Sequence, residues 1–82
     1  MKEDKIQIQA AYEAIQALSK WCTGEKLDAI NLLHDLEKNP SAVLEYVENT
    51  GRKYGITYER SSFNEDGYYL YLEAKEALSA LI

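Results

Sequence analysis

The chain has one cysteine and one histidine among 82 residues, and each scarcity removes a class of structure. A single thiol forms no intrachain disulfide. One cysteine and one histidine fall short of the about four ligands a structural zinc site uses. An unpaired cysteine, Cys22, fits a reducing compartment. No apolar run approaches the roughly 20 residues of a membrane span. The N-terminus, MKEDKIQIQ, is polar and lacks the apolar core of a signal peptide. A cytoplasmic protein is therefore expected.

Positive charge is also scarce: nine Lys and Arg stand against fourteen Asp and Glu, for a net charge of −5. A generic nucleic-acid binder carries a basic stripe or a high pI, so nucleic acid is not the expected partner. Acidity mainly serves solubility and weakly favours protein partners. No repeat, low-complexity tract or linker interrupts the chain, and residues 1–82 are expected to form one small domain. A chain this short buries only about 60% of its unfolded surface, so modest stability is expected.

What is present is apolar periodicity. Ile8, Ala11, Tyr12, Ile15, Leu18 and Cys22 recur at three- and four-residue steps, which predicts a helix from Asp4 to Cys22 with Asp4 as its N-cap. Thr23-Gly24 ends it. Leu27, Ile30, Leu33 and Leu36 predict a second helix from Glu25 to Lys38. Asn39-Pro40 then marks a boundary, since proline at the first helical position loses no bond it would have made. Val43, Tyr46, Val47 and Tyr54 predict a third helix, ending at Gly51 or Gly55.

The stretch Gly55 to Glu73, GITYERSSFNEDGYYLYLE, dominates the remainder. Apolar and aromatic residues flank Asn64-Glu65-Asp66-Gly67, and Asp-Gly supplies the positive φ angles of a tight hairpin. The reading is a β-hairpin followed by a short C-terminal helix from Glu73 to Ile82. The expected fold is thus α+β: three helices, a hairpin and a terminal helix. The alternative is an all-α four-helix bundle. Ser62-Phe63-Asn64-Glu65 matches a capping box, and Leu70, Ala74, Ala77 and Leu81 hold helical spacing. Gly67 and the weak helix formers of Tyr68 to Leu72 weigh for the hairpin.

Candidate chemistry is sparse. His34 is a conceivable general base, but its neighbour Asp35 does not face it on a helix and no nucleophile is indicated. Cys22 reads as a structural thiol. Glu45 and Glu48 share a face of the third helix and read as a solvated acidic face. Arg52, Lys53 and Arg60 are the one small basic group, a possible anion or nucleic-acid contact whose ordinary role is to complement a helix C-terminus. No cofactor, no metal and no catalytic residue is expected.

Six of the seven tyrosines lie in the second half of the chain. Tyr58, Tyr68, Tyr69 and Tyr71, with Glu45 and Glu48, form the expected partner-binding set. On a strand, Tyr69 and Tyr71 point one way and Tyr68, Leu70 and Leu72 the other. Both faces would then be apolar, and the second would be covered by the terminal helix, by a protein partner or by another copy of the chain, with a homodimer or a partner-presenting monomer favoured.

The element order resembles a winged helix-turn-helix domain. Tyr54 to Arg60 and Asp66 to Leu72 look like its wing, and the third helix would be its recognition helix. That resemblance implies a DNA-binding transcriptional regulator using Arg52, Lys53 and Arg60. Glu45 and Glu48 depart from it, because carboxylates there would meet phosphates with like charge. The favoured reading is a non-enzymatic protein-binding or regulatory domain acting through the tyrosine-rich hairpin.

Overall fold

The computed structural model describes residues 2–58 and 64–82, with side chains from residue 5 onward. Four helices follow one another: α1 (Lys2–Thr23), α2 (Ala29–Lys38), α3 (Pro40–Lys53) and α4 (Glu65–Ser79). Contacts run in a ring, α1 on α4, α4 on α3, α3 on α2 and α2 on α1, with α1 on α4 the most extensive pair. At 1.5 Å per residue α1 is about 33 Å long, and it sets the 40 Å long axis of a body 21 Å by 17 Å across.

This corrects the α+β expectation and the winged-helix order. Among the described residues there is no strand, and the fold is the all-α alternative. Tyr68 to Leu72, expected as the second hairpin strand, lies inside α4, which begins well before Glu73. Ile56 to Tyr58, the start of the expected first strand, is irregular. The rest of that strand, Arg60 and the capping-box Ser62 lie outside the described residues.

The physical reason is burial. Gly67, Tyr71, Ala74 and Leu78 are the buried residues of α4, at steps of four, three and four. This helical stripe runs through the aromatic segment and outweighs its local strand preference. Gly67 is not a turn residue, because among the described residues only Gly24 and Gly55 have positive φ. Its hydrogen instead admits a neighbour. A Cβ there would lie 2.6 Å from the Trp21 ring and 2.9 Å from Ile56 Cγ2.

Gly51 does the same for α3. A Cβ at this position would lie 2.4 Å from Tyr71 Cε1, so the tyrosine ring rests directly on the α3 backbone. The helix therefore runs past Gly51 and closes at Lys53. Gly55 adopts φ 68°, its N–H donates to Arg52 O at 3.3 Å, and Ile56 N–H donates to Gly51 O at 2.9 Å. This paired closure satisfies the last carbonyls of the helix and drives Ile56 into the core, where it is fully buried. Asn64, at the start of α4, ties the two helices together: its amide donates to Gly55 O at 3.0 Å and Tyr58 O at 3.2 Å.

The core unites Ala11, Ile15 and Leu18 of α1, Leu32 and Leu36 of α2, Val43 and Val47 of α3, and Ala74 and Leu78 of α4. Two boundaries also move. α1 has already begun at Lys2, so Asp4 lies within it rather than at its cap. α2 starts at Ala29, four residues later than expected. The delay comes from Gln16, which is buried on α1. Its Nε2 donates to Leu27 O at 2.8 Å, and its Oε1 accepts from Leu27 N–H at 2.7 Å. Both backbone groups of Leu27 are thereby spent outside any helix. Asp28 then caps α2 by accepting the Asn31 N–H at 3.1 Å.

Candidate functional site

Only Asn39 separates α2 from α3. Its N–H closes α2 by donating to Asp35 O at 2.7 Å, and Pro40 opens α3 at once. A link this short makes the helices diverge from a common corner. Leu32 and Val43 reach the core between them, and Ala42 is too small to fill the outer side. The result is a groove of about 330 Å³, lined by Leu27, Leu32, Val43, Ala42 and Tyr46 on its apolar surfaces and by Asp28, Asn31 and Asp35 along α2. Gln16 holds Leu27 in that lining.

Among the described residues, the charged residues that line the groove are both carboxylates. Asp28, Asn31 and Asp35 stand three and four residues apart, which makes them one polar edge of α2. Tyr46 presents an amphipathic ring, partly exposed, at the opposite wall. A volume of this size lies near the lower end of ligand pockets, about 300–1,000 Å³.

The expected partner-binding residues do not form one surface. Tyr71 is 5% exposed and belongs to the core, whereas Tyr69 is 48% exposed. Two residues apart on a helix, they face nearly opposite ways, and the shared face expected of a strand does not exist. Tyr68 is half-buried and meets the Tyr69 ring edge-on, with centroids 5.4 Å apart. Tyr58 is exposed in the segment after α3. Leu72, one turn from Tyr69, is also partly exposed, so the outer face of α4 carries a small apolar patch.

Glu45 is exposed on α3. Glu48 pairs loosely with Lys75 of α4 at 3.9 Å, and Lys75 lies 5.3 Å over the Tyr71 ring. Glu48 is thus turned toward α4. Arg52 donates to Asn49 one turn back, and Lys53 lies 5.6 Å over the Tyr54 ring. Both sit in the last turn of α3, where cations complement the helix dipole. Arg60 lies outside the described residues.

His34 and Asp35 are strongly exposed neighbours, Nδ1 to Oδ1 3.7 Å. Burial pushes the Cys22 thiol up from its ordinary range, opposite to the shift that activates a nucleophile. Among the described residues, no group of three or more His, Cys, Asp and Glu is placed to hold a metal ion. No described helix is long and apolar enough to cross a membrane.

The groove residues Asp28, Asn31, Asp35, Ala42 and Tyr46 were not singled out as a set by the sequence. The available signal was Asn39-Pro40, which forces two adjacent helices to share a corner, with polar residues at 28, 31 and 35 beside an apolar stripe. No protein-family model, curated protein or solved structure matches the chain.

Proposed function

We propose that this chain is a non-enzymatic protein-binding or regulatory domain whose docking site is the groove between α2 and α3. The observation that carries the reading is the groove itself. It is an open trough with a mostly apolar lining, whereas the depression where α1, α2 and the end of α4 meet has Lys5, Gln7 and Glu37 in its lining. Burying Tyr46, Ala42 and Leu27 under a partner removes apolar area from water, which drives most protein association. The amphipathic ring of Tyr46 suits an interface anchor, apolar over its body and polar at its tip.

A homodimer was expected from a strand with two apolar faces, and Tyr68 to Leu72 form part of α4 instead. The small patch of Tyr69 and Leu72 is one competing surface. The test is retention of a native-cell partner by the immobilised domain, with variants of each surface. Truncating a buried interface aromatic costs about 1–2 kcal/mol or more of association, so Tyr46→Ala should release the partner. Ala42→Gln should do so by filling the groove, while Tyr69→Ala should retain it. Retention by both groove variants, with loss on Tyr69→Ala, would move the site to α4.

A further inference from the structure

We infer that the occupant of the α2–α3 groove is a cationic amphipathic helix on a partner protein. The inference rests on the groove being the docking site and adds the chemistry of what fills it. Three observations lead there.

The first concerns backbone bonding. One way an extended peptide gains affinity is by adding a strand to a sheet edge. Among the described residues there is no strand, and both walls of the groove are helices whose interior backbone groups are already paired. An extended ligand would keep its amides bonded to water and gain no backbone hydrogen bonds from these walls. A helix satisfies its backbone internally and offers only side chains to the groove.

The second is shape. The trough runs between two helices and is apolar along its floor, which suits a row of anchors recurring at helical spacing on one face of an incoming helix. Its polar groups, Asp28, Asn31 and Asp35, all lie on one helix and at its edge. They do not converge from several sides, as the polar groups that orient a small ligand do.

The third is charge. Asp28 and Asp35 are seven residues apart, about 10.5 Å along α2 at 1.5 Å per residue. That is two turns, so a helix lying along α2 would bring a Lys or Arg on each of two successive double-turn positions to the two carboxylates. Asp28 Oδ1 accepts the Asn31 N–H, which leaves its other oxygen for a cation. His34, beside Asp35 at 3.7 Å, is a weak competitor when protonated, and Lys26 and Lys38 lie just beyond the two carboxylates in sequence. A second copy of this chain is disfavoured as the occupant, because each copy carries a net charge of −5.

The test uses the full chain and two synthetic helical peptides. Both carry leucines at helical spacing; one has lysines flanking the leucine face, and the other has glutamates in their place. Binding is read by fluorescence anisotropy at low and physiological salt. The lysine peptide should bind, more tightly at low salt, and the glutamate peptide should not. Asp28→Asn combined with Asp35→Asn removes both charges while asparagine still caps α2. This pair should weaken the lysine peptide about fivefold, the scale of two exposed ion pairs, and flatten its salt dependence. Ala42→Gln should abolish binding, with circular dichroism confirming an unchanged fold.

Equal binding of the two peptides, blocked by Ala42→Gln, would overturn the charge inference and leave the groove as the site. Binding untouched by Ala42→Gln would overturn both. No binding of either peptide would overturn the helical occupant, leaving the groove reading to the partner-retention test. Concentration-dependent dimers abolished by Ala42→Gln would show that a second copy fills the groove and would likewise overturn it.

Discussion

Two junctions of this bundle treat small residues in opposite ways. Where α4 meets α1 and α3, the missing side chains of Gly67 and Gly51 are occupied: Trp21 and Ile56 press on one, and the Tyr71 ring on the other. Where α2 meets α3, the small residue is Ala42, and no described residue fills the space beside it. The first junction converts absent atoms into close packing. The second leaves apolar surface open to solvent. A small side chain is therefore not a feature with one meaning; what it does depends on whether a large neighbour is positioned to use the space.

The contrast can be broken most forcefully on α4. Tyr71→Ala should cost about 3–5 kcal/mol of stability, as truncation of a buried aromatic does. Tyr69→Ala should stay within about 0.5 kcal/mol, as exposed substitutions do. Urea unfolding of both variants checks this. Equal losses would restore a strand, on which the two side chains share a face.

Next in size is the brace behind the open groove. Gln16→Leu strips both hydrogen bonds from the Leu27 backbone and should cost about 1–3 kcal/mol. Hydrogen exchange at Leu27 and the α2 N-terminus should quicken more than at α4, because the brace serves only the α2 side.

Glycine and alanine variants then compare the two junctions directly. Gly51→Ala forces a methyl into the Tyr71 ring, an overpacking cost of about 1–3 kcal/mol. The gain in helix propensity returns about 1 kcal/mol of it, so a net destabilisation of about 1 kcal/mol is expected from thermal melts. Ala42→Gln adds far more volume, yet should change stability by less than about 0.5 kcal/mol, because the groove is open.

The smallest effect concerns Cys22, on the same helix as Trp21. Its burial holds the thiol pKa above the ordinary value in the folded chain. The folded state then retains its proton where the unfolded state has lost it. Stability from this group is complete below the ordinary thiol pKa and declines as pH rises through the folded value. A modest fall in melting temperature at alkaline pH, absent in Cys22→Ala, is the expected reading.

The core faces of α1 and α3 were legible because their stripes are long and regular, whereas in α2 the expected stripe failed at Ile30, 80% exposed, and Leu33, with Leu32 buried in their place. Ala11, Ile15 and Leu18, or Val43 and Val47, repeat often enough that periodicity names the core without tertiary information. Residues 65–72 were not. Asp66-Gly67 is strong local turn chemistry, and Tyr68 to Leu72 are apolar or aromatic at every position, so the period is hidden. The decision belonged to distant residues, Trp21 for Gly67 and Gly51 for Tyr71, which no local window contains. The groove was illegible for a related reason. It is defined by space beside Ala42 and by a one-residue link at Asn39, and neither an empty volume nor a corner angle is written in a periodicity. A 3.6-residue repeat in place of a two-residue one sends Tyr71 to the core and leaves Tyr69 exposed.

The most direct test of the groove as the docking site is an amide shift map of the isotopically labelled chain titrated with the lysine-bearing helical peptide. The account predicts perturbations concentrated in Leu27 to Asp35 and Ala42 to Tyr46, with the amides of Tyr69 to Leu72 unmoved. Perturbations centred on Tyr69 and Leu72, with Asp28, Asp35 and Ala42 silent, would contradict it.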